Sequence, residues 1–98
     1  MILEITEEAK DDISDAYNWY ESQKIALGDE FINQFKLVCK TIIKAPEGFR
    51  KVRGYHQISL KQFPFVVLYQ LIDDKIIVYA VFHTSRNPKK KYSFKSGK

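Results

Sequence analysis

With 98 residues, 45% of them hydrophobic, the chain has material for one small core, burying about 60–65% of the surface that its unfolded form exposes. Cys39 is the sole cysteine, which excludes an internal disulfide and any cysteine-built metal cluster and fits a reducing compartment. The net charge of +4 divides unevenly: residues 1–45 hold five lysines against nine Asp and Glu, and residues 46–98 hold eleven Lys and Arg against Glu47, Asp73 and Asp74.

Ile2, Leu3 and Ile5 form a short apolar run that ends at Thr6. Thr6 followed by Glu7 and Glu8 predicts a strand feeding into a helix, with the hydroxyl as N-cap and the acids on the positive end of the helix dipole. Ala9, Ile13, Ala16, Tyr17 and Tyr20 then recur on one helical face, leaving Asp11, Asp12, Asp15 and Asn18 on the wet one. Leu27-Gly28-Asp29 is expected to stop this helix and cap a second, which carries Phe31, Phe35, Val38 and Ile42 and ends before Ala45-Pro46. Beyond Pro46 the period becomes strand-like. Gln57 to Lys61 alternates, and Phe65 to Ile72 and Lys75 to His83 are rich in Val, Ile, Tyr and Phe, which predicts three strands. Asp73-Asp74 reads as a tight turn that makes the last two strands antiparallel neighbours.

The expected architecture is α+β, in a single domain over residues 1–98: an N-terminal strand, an α-helical hairpin packed on an antiparallel β-meander, and a short C-terminal segment. Val66-Val67-Leu68 and Ile76-Ile77-Val78 are apolar without interruption, so both sheet faces need cover. The helix hairpin supplies one; the C-terminal segment or a partner protein supplies the other. No apolar run approaches the roughly 18 residues of a membrane span. The stretch from Met1 to Glu8 lacks the basic start and small-residue cleavage site of a secretory signal. A cytoplasmic location without membrane contact is expected.

The glycines form no phosphate-binding loop. His56 and His83 have no partners at metal-ligand spacing, and the acids from Glu7 to Asp15 fit a solvated helix start better than a metal site, so neither metal nor cofactor is expected. The basic half favours an anionic partner, although a solubilising tail explains Lys89, Lys90 and Lys91 equally simply. Chemistry concentrates where the last strand ends, at His83 and Arg86. His83 can move a proton near neutral pH, and Arg86 can hold a phosphate by two parallel bonds. Arg50, Lys51 and Arg53 are placed to meet them across the sheet, and Glu47 or Tyr92 can serve as a second proton-transfer group. RNA cleavage without a metal needs those residue types: one group to take the 2′-hydroxyl proton, one to protonate the leaving oxygen, and cations on the phosphorane. A histidine closing a strand is also an ordinary structural cap, and Tyr92 and Phe94 can pack on the sheet as readily as stack on bases.

Trp19-Tyr20-Glu21, Leu27-Gly28 followed by Phe31, Pro46, Arg53, Phe63-Pro64-Phe65 with Tyr69, and His83 with Arg86 and Pro88 together resemble the RelE/ParE toxins over nearly the whole chain. The resemblance implies a bacterial toxin of a type II toxin–antitoxin module, bound and silenced by a smaller antitoxin that wraps it. Two targets follow from the family. RelE-like members cleave mRNA in the ribosomal A site, which would give His83, Arg86, Arg53, Tyr92 and Glu47 catalytic roles. ParE-like members inhibit DNA gyrase and are not nucleases; Arg50, Lys51, Arg53, Arg86, Lys89, Lys90 and Lys91 would then bind the target. The Trp-Tyr-Glu, Leu-Gly and Phe-Pro-Phe pieces look more like the ParE branch. The strand from Phe65 to Ile72 is uncharged, a departure from RelE-like members, which carry basic residues there. Gyrase inhibition is the favoured expectation.

Overall fold

The computed structural model describes residues 1–85. The elements run β1 (Ile2–Ile5), α1 (Glu7–Gln23), α2 (Leu27–Lys44), β2 (Lys51–Val52), β3 (Tyr55–Ser59), β4 (Phe65–Ile72) and β5 (Lys75–His83). They form one five-stranded sheet of order β1-β5-β4-β3-β2, with the helix pair on one face. β5, β4, β3 and β2 are antiparallel to their neighbours, and β1 joins the outer side of β5 in parallel. The expected α+β architecture is the one observed. Three boundaries move. The first meander strand is Tyr55–Ser59 rather than 57–61: its register with β4 runs from His56 opposite Tyr69 to Ser59 opposite Val66, and the Leu60 N–H makes one last bond to the Phe65 carbonyl at 3.0 Å. A further short strand, β2, precedes it. The helix break falls before Gly28, between Gln23 and Leu27.

Thr6 caps α1 as its position predicts: the Ala9 N–H donates to the Thr6 hydroxyl at 3.1 Å. The same residue ties the helix to the sheet, its N–H donating to the Val78 carbonyl at 3.1 Å and its hydroxyl to the Tyr79 carbonyl at 3.4 Å. Tyr79 is the extra residue of a β-bulge, since Leu68 pairs with Ala80 while Tyr69 pairs with Val78. A bulge leaves backbone groups without ladder partners. Here Asp12 supplies one, its carboxylate accepting from the Val81 N–H at 3.0 Å. Asp12 therefore does not belong to the wet face of α1: a carboxylate half-buried beside a bulge is stable there because an amide meets it.

The loop between the helices is built by Glu21 from α1. Ala26 turns in the left-handed region at φ 71°, and the Glu21 carboxylate accepts from the N–H groups of Ala26 and Gly28, both at 2.9 Å. These amides open α2, whose own N-cap side chain, a methyl, can bond nothing. Gly28 thus lies inside the first turn of α2 rather than ending α1. Its role is close approach: a Cβ there would stand 2.7 Å from the Tyr17 carbonyl oxygen and 2.8 Å from the Glu21 carboxylate.

The main core lies between helices and sheet. Tyr20, Phe31, Phe63 and Phe65 form an aromatic knot, with ring centroids 4.8 Å apart for Tyr20–Phe63 and 5.1 Å for Phe31–Phe65. Ile42, Val67, Tyr69, Ile76 and Val78, all fully buried, extend it. The opposite face carries a second buried cluster, Tyr55, Val66, Leu68, Ala80 and Phe82, with Tyr79 packed against it. β4 is accordingly buried from Phe65 to Tyr69 on both sides, as its continuous apolarity requires. The C-terminal residues expected to cover that second face, Tyr92 and Phe94, lie outside the described residues.

Candidate functional site

Most of the expected site residues within residues 1–85 fall at one end of the sheet. β2 and β3 are joined by Arg53-Gly54, both with positive φ (54° and 85°), while Val52 pairs with Tyr55. This is the twist that a two-residue hairpin demands. The turn presents Arg53 at the sheet corner, with Lys51 exposed on the edge strand and Arg50 preceding it. Glu47 lies in the α2–β2 loop. An open cleft of about 630 Å³ runs between this loop, the β2–β3 hairpin and the end of β4, lined by Glu47, Lys51, Gly54, His56, Gln70 and neighbouring apolar residues of β4.

The loop is held by two stacked rings. His56 and Tyr69 lie 4.9 Å apart at 16°. The Tyr69 hydroxyl donates to the Pro46 carbonyl at 2.7 Å, and His56 Nδ1 bonds the Phe49 carbonyl at 2.9 Å. Burial pushes the Tyr69 phenol up to about 12. An unfolded tyrosine ionises near 10, so above about pH 10 the unfolded chain releases this proton first. Stability from Tyr69 is whole below pH 10 and falls as the pH rises toward 12. Tyr69→Phe is expected to lose about 1 kcal/mol at pH 7 through the missing Pro46 bond and to flatten the alkaline decline; urea unfolding at pH 7 and pH 11 measures both.

His83 sits elsewhere. It pairs with Phe65 at the start of β4, and its ring meets the Phe65 ring edge-on at 5.3 Å. Its Nδ1 accepts from the Ser85 N–H at 3.1 Å, closing the turn after β5. Lys51 pairs with His56, and His56 with Tyr69, four residues farther along β4. At about 3.3 Å per residue that is roughly 13 Å along the strand, with further displacement across the sheet. The structure brings Glu47 and Lys51 together at the cleft, sets Arg53 on the adjoining β2–β3 turn, and leaves His83 at the other end. Arg86, Lys89, Lys90, Lys91 and Tyr92 lie outside the described residues.

From the sequence alone, His56 is a candidate for metal ligation and nothing else. Among the described residues no three His, Cys, Asp or Glu side chains gather where they would hold an ion. Instead His56 is a buried ring at the cleft, 7% exposed. Its position beside Tyr55 in a strand gives no sequence cue, because the partner that fixes it is a backbone carbonyl seven residues back.

Residues 3–88 match the family model described as the ParE toxin of the type II toxin–antitoxin system parDE. Toxin ParE2 of Mycobacterium tuberculosis, in strains CDC 1551 / Oshkosh and ATCC 25618 / H37Rv, is 31% identical over 88 residues, 88% of this chain and 84% of the relative. Two solved structures share the fold. A chain of the chromosomal ParDE system from P. aeruginosa superposes with a TM-score of 0.64 at 17% identity, over 85% of this chain and 95% of its own. A chain of the intact E. coli RelBE toxin–antitoxin complex gives 0.64 at 20% identity, over 87% and 98%. The extent of the family match, with a relative at this identity, establishes that the chain belongs to the ParE toxin family of type II toxin–antitoxin systems, within the RelE/ParE superfamily.

Proposed function

We propose that the chain inhibits growth by docking on DNA gyrase, without cutting RNA, and is neutralised by a cognate antitoxin. The observation that carries this reading is the separation of the acid–base and cationic groups. A metal-free nuclease needs a proton acceptor, a proton donor and a cation within hydrogen-bond reach of one phosphate. Here His83 closes a turn at one end of the sheet, and Glu47, Lys51 and Arg53 stand at the other. The strand between them, β4, carries no charged residue. The antitoxin reading draws support from the two structural neighbours, which come from a ParDE system and a RelBE complex.

A basic corner made of Arg50, Lys51 and Arg53 on an edge strand suits a protein or nucleoprotein target reached by electrostatic steering. The test is primer extension on mRNA translated in vitro with the purified toxin. Intact mRNA is expected, with His83→Ala keeping the wild-type capacity to arrest growth. Ribosome-dependent 3′ ends that vanish in a His83→Ala Arg86→Ala variant would replace gyrase with the ribosome as target and assign the C-terminal cluster to catalysis.

A further inference from the structure

The sheet face turned away from the helices is buried over one half and open over the other. Tyr55, Val66, Leu68, Ala80 and Phe82 lie on it, none more than 8% exposed. Ile72 follows Leu68 on the same face of β4 and is 40% exposed; Ile2, which Lys75 links to Ile72 through the register, is 63% exposed. Every member of the buried cluster, with Tyr79 packed against it, belongs to β3, β4 or β5. A sheet does not bury its own face: neighbouring side chains stand side by side, and their tops stay open until a second layer covers them. Among the described residues, the helices and the loops that carry Phe49, Leu60 and Phe63 pack on the other face.

The buried half is the one nearest the point where the chain leaves the sheet. Past Phe82 the chain turns at once, the Thr84 N–H donating to the Pro64 carbonyl at 2.9 Å and the Ser85 N–H to His83 Nδ1 at 3.1 Å. Thirteen residues follow Ser85, with Tyr92 and Phe94 as their large apolar side chains. Lys91-Tyr92-Ser93-Phe94-Lys95 alternates polar and aromatic, the period that gives an extended segment one apolar face. Phe82 stands opposite Val66, and Val66 opposite Ser59, four residues from Tyr55. The diagonal from Phe82 to Tyr55 is therefore roughly 16 Å, and the step from Ser85 to Tyr92 spans up to about 24 Å. We propose that residues 86–98 of the chain itself form the second layer, with Tyr92 and Phe94 seated on this cluster and Lys91, Ser93 and Lys95 turned to water. Tyr92 is then a packing anchor rather than a proton-transfer group, and a partner gains this face only by displacing the segment. The assignment holds whichever target the toxin has.

The test is NMR on the full-length ¹³C,¹⁵N-labelled toxin without antitoxin. Through-space contacts are expected from the Tyr92 and Phe94 ring protons to the methyl groups of Val66 and Leu68. Tyr92→Phe keeps the ring and should preserve them. In Tyr92→Ser Phe94→Ser the Val66 and Leu68 methyl resonances should shift as the ring currents vanish, while those of Val67 and Val78, in the core beneath the helices, stay in place. The contacts in the parent chain decide the question even where the double variant unfolds. Absence of any contact between residues 86–98 and the sheet, contacts with the helix side instead, or unmoved Val66 and Leu68 methyl groups in a folded double variant would each overturn the assignment.

Discussion

Phe31→Ala is expected to lower stability by about 3–5 kcal/mol, the usual cost of emptying a buried phenylalanine site. Phe31 is fully buried and touches Tyr20, Phe63 and Phe65, with centroids at 5.7, 5.4 and 5.1 Å. Those rings come from α1, the β3–β4 connection and β4, so the cavity would lie where the helix hairpin meets the sheet, with no loop free to collapse into it. A domain of this length has about 5–15 kcal/mol in all, and the variant should be largely unfolded at 37 °C. Urea unfolding at lower temperature would show a reduced midpoint with an unchanged slope. A loss below about 1 kcal/mol would mean that the knot repacks and that the aromatic contacts are not what holds the layers together.

Gly28→Ala is the second large effect, and two terms compete in it. Alanine favours a helix over glycine by about 1 kcal/mol. The added methyl, however, would meet the Tyr17 backbone carbonyl at 2.7 Å, and Tyr17 belongs to α1, which cannot retreat without dragging Tyr20 from the core. It would also meet the Glu21 carboxylate that caps the opening amides of α2. Overpacking of this kind costs about 1–3 kcal/mol, occasionally more, and one lost cap about 1 kcal/mol. The steric terms win, with a net loss of about 2 kcal/mol and a melting temperature lower by about 8–16 °C. Thermal unfolding followed by circular dichroism decides it; a variant as stable as the parent would show that the helices separate readily at this crossing.

These two residues also explain how the family resemblance arises. Tyr20 and Glu21, Leu27-Gly28 with Phe31, and Phe63-Pro64-Phe65 are distant in sequence, yet Tyr20, Phe31, Phe63 and Phe65 share one knot, and Glu21 bonds the amide of Gly28. The pattern is a description of the hairpin and its seat on the sheet. It reports architecture, and the target must be argued from surfaces.

Much of the fold was legible because periodicity survives packing. The Thr6 cap, both helix faces, β4, β5 and the Asp73-Asp74 turn follow from the order of apolar residues and from local chemistry. What was not legible depended on partners far along the chain. Ala26 adopts a left-handed conformation that alanine seldom takes, stabilised by Glu21 five residues earlier, so the helix break lay ahead of the glycine that seemed to mark it. Two residues of β2 carry no period, and its turn is Arg-Gly rather than the usual Asn-Gly. Asp12 read as solvated because its partner, the Val81 amide, is 69 residues away. At the candidate site the residue types were legible but their distances were not: the register of β4 sets His83 apart from Lys51 and Arg53, and His56 becomes a cleft residue only when the α2–β2 loop closes over it.

The most direct test of the proposed mechanism is a supercoiling assay with purified gyrase, relaxed plasmid and the full-length toxin, repeated with the cognate antitoxin. Dose-dependent loss of supercoiling, reversed by stoichiometric antitoxin and retained by His83→Ala, is the predicted result. Undiminished supercoiling at toxin concentrations that arrest growth would contradict it.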